Sequence, residues 1–148
     1  MKAFIYYSYT GNGDYVAKYM EQRGYLAIKV TPKHDLGKKK FFAILFGGLF
    51  ASLNLKFRLK NFGITKSLYD EIVVGSPIWN NRVSCPINTV MDTLKDYKGN
   101  IKFIFYAGGG QGSKATIKVS RYYADARSIV LREPKSHPDE LNKLNSFL

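Results

Sequence analysis

Residues 2–23 read KAFIYYSYTGNGDYVAKYMEQR, and the order of physical characters along this stretch decides the fold. Residues 2–7 are a short apolar run, the pattern of a strand buried on both faces. Residues 12–23 carry Val16, Tyr19 and Met20 at helical spacing, with Asp14 in the first turn, where the helix dipole favours an acid. Gly24 stops that helix. Between strand and helix lie hydroxyls, an amide and glycines, a composition that offers hydrogen-bond donors. A buried strand, a polar glycine loop and an amphipathic helix open a βαβ unit.

The alternation continues outward. Residues 25–31 (YLAIKVT) predict a second strand ending at Pro32, residues 69–75 (YDEIVVG) a third, 101–107 (IKFIFYA) a fourth and 127–131 (RSIVL) a fifth. Helices are predicted over 83–97, with Pro86 tolerated in the first turn, over 113–124, and over 139–148 after Pro138. Five short apolar strands alternating with helices imply an α/β domain whose parallel sheet is covered on both faces. With 148 residues, 45% hydrophobic and 15% aromatic, the chain reads as one globular domain spanning 1–148, with no internal repeat. Its apolar start reads as a first strand and not as a signal peptide. The single cysteine, Cys85, excludes an internal disulfide and suits a reducing cytoplasm.

Charge is the unusual feature, with a net +12 from 23 basic and 11 acidic residues. Between Pro32 and Lys66 eight basic residues (Lys33, Lys38, Lys39, Lys40, Lys56, Arg58, Lys60, Lys66) face the single acid Asp35. Residues 32–68 form a connection longer than a strand–helix–strand passage needs. Its 13-residue apolar stretch, 41–53, is too short to span a bilayer. Three readings stay open for 38–60: a buried helix with solvated ends, a surface for an acidic partner or an anionic membrane, or a lid. Nucleic acid is not expected, because charge is its sole support and no binding motif accompanies it. His34 and His137 have no ligand-spaced neighbour and read as surface residues, Asp70 and Glu71 read as solvated, and no metal site is expected.

Ligands of such a sheet bind beyond the C-terminal strand ends. The first such loop, Ser8, Tyr9, Thr10, Gly11, Asn12, Gly13 and Asp14, leads into a helix N-terminus, where free N–H groups and the dipole attract an anion. A glycine turn with an Asn or Asp cap is the plainer reading. The loop lacks the lysine and spacing of a P-loop, which disfavours a nucleoside triphosphate. The second loop, 75–81, carries Trp79, which either stacks on a flat ligand or plugs the core edge. The third, 107–112, brings backbone close to whatever lies across it.

With S-x-T-G-N before a helix, YDEIVVGSPIW before a Pro-containing helix, and a strand ending in AGGG, the chain resembles flavodoxin from residue 2 to 148. The resemblance implies a flavodoxin-like three-layer sandwich with a five-stranded parallel sheet, noncovalent FMN, and electron transfer with redox partner proteins. It places Ser8, Tyr9, Thr10, Gly11, Asn12, Gly13 and Asp14 around the FMN phosphate. It sets Ser76, Pro77, Ile78, Trp79 and Asn80 along the isoalloxazine, with Ala107, Gly108, Gly109 and Gly110 across from them. Two departures stand out: Gly13 replaces a usual hydroxyl residue, and AGGGQGSKAT lacks the usual acid and stacking Tyr. Resemblance favours an electron carrier. Positive charge, which tolerates an anionic reduced flavin, favours a small FMN-dependent NAD(P)H:quinone-type oxidoreductase. A flavin-independent scaffold is the third alternative.

Overall fold

The computed structural model describes residues 1–33, 48–60, 62–109 and 111–148. Lys38–Lys40, His34, most of the 41–53 stretch and Gly110 lie outside them.

Parallel pairing joins five strands in the order β2–β1–β3–β5–β6: β2 (Tyr25–Lys29), β1 (Lys2–Tyr6), β3 (Glu71–Trp79), β5 (Asn100–Ala107) and β6 (Arg127–Arg132). A short β4 (Arg82–Val83) returns antiparallel along the end of β3, making a sixth strand. Strand order reverses beside β1, the position where doubly wound sheets open a crevice.

Alternating side chains send two sets of apolar residues to opposite faces of the sheet. Ala3, Ile5, Ile72, Val74, Phe103 and Phe105 join one core cluster with α2 (Cys85–Thr93) and α3 (Ser113–Tyr122). Phe4, Tyr6, Val73, Ile104 and Tyr106 join the other, against α1 (Asn12–Glu21) and the C-terminal Leu144 and Phe147. This is a three-layer sandwich.

Several elements differ from the sequence reading. The third strand runs four residues past Gly75, through Ser76 and Pro77, which pair with Phe105 and Tyr106 of β5. Proline is tolerated there because β1 pairing ends at Tyr6 with Gly75, so no neighbour on that side asks for the missing N–H. The expected second loop thus shrinks to a two-residue turn at Asn80 and Asn81. The helix predicted over 83–97 begins only at Cys85, after Val83 pairs with Ile78, and ends at Thr93. The last helix is not α but a 3₁₀ helix, Pro138–Leu144. Leu141 and Leu144 within it and Phe147 in the turn that follows recur every third residue, which matches three residues per turn.

Glu71, read as solvated, is 7% exposed. Lys102, itself 5% exposed, reaches it at 2.8 Å, and Asn100 Nδ2 donates to it at 2.6 Å. The Tyr25 hydroxyl donates to the same carboxylate. Burial alone would raise the Glu71 carboxyl, but the bonds from Lys102 and Tyr25 outweigh it and hold it below the ordinary range. Asp70, in contrast, is exposed, as expected. His137 is half-buried, and its Nδ1 has no partner among the described residues, so it is not the free surface residue expected.

Of the long connection, residues 48–52 are helical and Asn54 closes them in the left-handed region at φ 53°. The chain then crosses α2, where Asn88 Nδ2 and Thr89 Oγ1 donate to the carbonyls of Leu55 and Phe57 at 2.9 and 2.7 Å. It finally pairs Leu59 with Pro32 beyond β2. Among the described residues no helix is long and apolar enough to cross a membrane.

Candidate functional site

The loop between β1 and α1 is held in an open curl by its own backbone. Gly11 caps the helix at φ 92°, a left-handed conformation in which a side chain would be strained. Its carbonyl accepts from Tyr15 N at 3.0 Å. Ser8 Oγ accepts from Asp14 N at 3.2 Å, which ties the start of the loop to the first turn of α1. Asn12 Nδ2 donates to Thr10 Oγ1 at 3.1 Å. The N–H groups of Thr10, Gly11, Asn12 and Gly13 have no hydrogen-bond partner among the described residues. Four unpartnered amides at a helix start form a nest for an anion.

A cation lies beside Gly11 that the sequence did not suggest. Lys135 follows β6, and its main-chain N donates to Asn12 Oδ1 at 3.0 Å. Its Nζ lies 3.3 Å from where a Cβ on Gly11 would stand. The two contacts bring residues over 120 positions apart together, a proximity that no local motif signals.

Gly13 answers to packing. A Cβ there would meet Tyr106 Oη at 2.6 Å, Ser8 Cβ at 2.9 Å and Tyr7 O at 2.9 Å. The Tyr106 hydroxyl, which donates to Tyr7 O at 2.7 Å, fills the space a hydroxyl residue at 13 would need. Asp14 turns its carboxylate away from the nest, to Lys29 at 2.7 Å and the Tyr6 hydroxyl at 3.2 Å. Burial pushes that carboxyl up, but Lys29, Ser8 and Tyr6 together hold it below its ordinary value. The Tyr6 hydroxyl is in turn pushed up to about 12 by burial and by Asp14.

Beyond β3 the turn residues Asn80 and Asn81 have φ 49° and 59°, as a two-residue hairpin of the primed type requires. Asn80 Nδ2 donates to Ser52 Oγ at 2.6 Å and Asn81 Nδ2 to Ser113 Oγ at 3.1 Å, which anchors the hairpin from both sides. Asn81 Oδ1 is buried without a partner among the described residues. Ser76 is fully buried, its hydroxyl engaged with Ser84 at 3.0 Å and with Pro77 O at 2.9 Å, so it fixes the hairpin. Trp79 is 8% exposed and stands edge-on to Tyr7 and Tyr9, with ring centroids 5.7 and 6.4 Å apart. Its ring belongs to the core edge, and Tyr9 links it to the first loop. Ile78 is half-buried beside Gly112.

At the third strand end Ala107 is buried while Gly108 and Gly109 are exposed. An acid from the segment after β6 stands beside this loop: Glu133 Oε1 lies 3.6 Å from a Cβ position on Gly108. Because β1, β3 and β5 run parallel, all three expected loops leave the same edge of the sheet. A cleft of about 270 Å³ adjoins the first, bounded by Ser8, Tyr9, Lys29, Thr31 and Lys60 among others.

No protein-family model and no curated protein sequence matches the chain. Solved structures do. A flavoprotein from Lactobacillus acidophilus NCFM, crystallised in complex with FMN, superposes with a TM-score of 0.70 at 19% identity, covering 93% of this chain and 96% of its own. The apo form of the flavoprotein from the same organism, determined by NMR, matches with a TM-score of 0.62 at 18% identity over 86% and 91%. A protein from Bacteroides eggerthii DSM 20697 named as a flavoprotein matches with a TM-score of 0.70 at 18% identity over 97% of each chain. Parallel strand order, helices on both faces and these likenesses together establish that the chain has the flavodoxin-like fold.

Proposed function

We propose that this protein binds FMN at the C-terminal edge of its sheet and serves as an electron-transfer protein. The observation that carries the reading is the nest of four unpartnered amides at Thr10–Gly13 with the Lys135 ammonium beside it. A dianionic phosphate matches that set of donors in charge and in size. The FMN bound by a structural neighbour of the same fold supports the choice of phosphate ester. FMN would supply the redox chemistry. The chain's own residues orient it: the Ser8 hydroxyl and the loop amides hold the phosphate, and the Asn80–Asn81 hairpin and Gly108–Gly109 border the ring.

Exposed Lys56, Arg58 and Lys60 give the described part of the basic connection a positive surface. It favours acidic redox partner proteins or an anionic membrane surface, with attraction screened over about 10 Å at 0.1 M salt. The same charge is the observation that favours a second reading, an FMN-dependent oxidoreductase, because nearby cations stabilise an anionic reduced flavin. Rapid NAD(P)H oxidation by the purified flavoprotein with a quinone present would select it.

The phosphate assignment has a direct test in ligand pairs. Replacing Thr10 and Asn12 with Ala removes the side-chain bond that shapes the nest and the anchor of Lys135. FMN affinity should fall about 10- to 100-fold, the worth of one or two charge-assisted hydrogen bonds, while riboflavin, which lacks the phosphate, changes little. Equal losses for the two ligands would refute the assignment.

A further inference from the structure

A separate cleft of about 420 Å³ lies between α3, β4 and Asn54, and it shares no residue with the cleft beside the first loop. Helix α3 supplies most of its wall. Lys114, Ile117, Lys118, Arg121 and Tyr122 recur at the spacing of one helical face, while Ala115 and Val119 are buried on the other. Arg82 adds a fourth cation from β4. None of these cations pairs with a carboxylate among the described residues. Asp92, which lines an adjoining small cavity with Lys118 and Tyr122, is already paired with Lys56 at 2.9 Å.

The cluster is built and not merely exposed. Lys118 is half-buried, and its Nζ donates to Asn88 Oδ1 at 2.8 Å and Asn54 Oδ1 at 3.1 Å. Neutral amides fix that ammonium without neutralising it. Burial first, then Arg82 and Lys56, disfavour its charged form, so like charge is concentrated here at a cost in stability. Beside the cations, Tyr122 and Ile117 are 56% and 50% exposed, and Lys118 Nζ lies 5.8 Å from the Tyr122 ring centroid.

We propose that this cleft binds a nucleotide carrying two or more phosphates, with the phosphates on Arg82, Lys114, Lys118 and Arg121 and the base against Tyr122 and Ile117. Four unpaired cations exceed what one phosphate neutralises, and an exposed ring beside an aliphatic side chain is a plate for a planar group. The volume falls within the roughly 300–1,000 Å³ of small-molecule sites. The proposal stands independently of FMN in the first loop.

Calorimetric titration of the full chain with ADP, pyrophosphate and adenosine, each with and without saturating FMN, tests it. ADP should bind more tightly than pyrophosphate, adenosine should bind far more weakly than either, and FMN should displace none of them. The variant Lys114→Gln/Arg121→Gln, which spares the bonds of Lys118, should weaken ADP about tenfold or more, as loss of charge-assisted contacts predicts. Relieved of repulsion, the same variant should melt slightly higher than the parent without ligand, so lost binding is distinguishable from misfolding. Pyrophosphate binding as tightly as ADP, displacement by FMN, or ADP binding unchanged in the variant would overturn the proposal. So would tighter binding of a polyglutamate peptide than of ADP, which would assign the cleft to an acidic protein.

Discussion

Gly13→Ala should abolish useful FMN binding while leaving a folded protein. The added Cβ would stand 2.6 Å from Tyr106 Oη and 2.9 Å from both Ser8 Cβ and Tyr7 O. Two of these obstacles cannot swing aside: Tyr7 O is main chain, and the Tyr106 hydroxyl is buried and bonded to it at 2.7 Å. The loop itself must therefore move. Overpacking of this kind costs about 1–3 kcal/mol of stability. Displacing the nest by even two charge-assisted bonds should weaken FMN about 100-fold or more. Tyr106→Phe in the same chain removes the shortest contact and should recover part of the affinity. Gly24→Ala is the control: its φ of 80° strains a side chain, yet no atom lies within 4 Å, so stability falls by about 1 kcal/mol and FMN binding holds. Comparable FMN affinity in the Gly13 and Gly24 variants, measured by flavin fluorescence, would show that the loop does not hold the cofactor.

Glu71→Ala should give the largest loss of stability. It strands the Lys102 ammonium, 5% exposed, which among the described residues keeps the Leu148 main-chain oxygen at 2.8 Å as its acceptor. Breaking a buried ion pair by removing one partner costs about 3–5 kcal/mol, a large fraction of a small domain's stability. Replacing both members, Glu71→Leu/Lys102→Met, should restore much of the loss, because no charge is then left buried. The pH dependence follows from the direction of the Glu71 shift. Its folded carboxyl is held below the ordinary value of 4.5, so its contribution is fully present above 4.5 and is lost as pH falls through the folded value. Chemical denaturation from pH 7 to 3 should show the parent losing stability with acid more steeply than the double replacement. Parallel profiles would mean that the carboxylate contributes nothing to the balance. Flavin binding per folded molecule should not change, since Glu71 lies at the N-terminal end of its strand.

The alternation of strands and helices was legible because buried parallel strands are continuous apolar runs and their helices are amphipathic, as residues 2–23 show. What the sequence hid depended on neighbours distant in the chain. Ser76 and Pro77 look like a loop until β5 supplies pairing partners and β1 stops short of them. Glu71 looks solvated because its partners Lys102 and Tyr25 come from other strands. At the candidate site the polar glycine loop was visible in composition, whereas Lys135 and Glu133 arrive from the segment that follows β6. The period-three spacing of Leu141, Leu144 and Phe147 was in the sequence and signals a 3₁₀ turn, a pattern that a search for period 3.6 passes over.

Titration of FMN into flavin-free protein decides whether this edge of the sheet holds the flavin. Trp79 is the single tryptophan and meets Tyr9 of the loop between β1 and α1, so its emission reports on this edge of the sheet. The titration should reach a one-to-one endpoint, with quenched tryptophan emission and a shifted, structured band of bound oxidised flavin. A flavin spectrum identical to that of free FMN, with Trp79 emission unchanged at saturating concentrations, would contradict it.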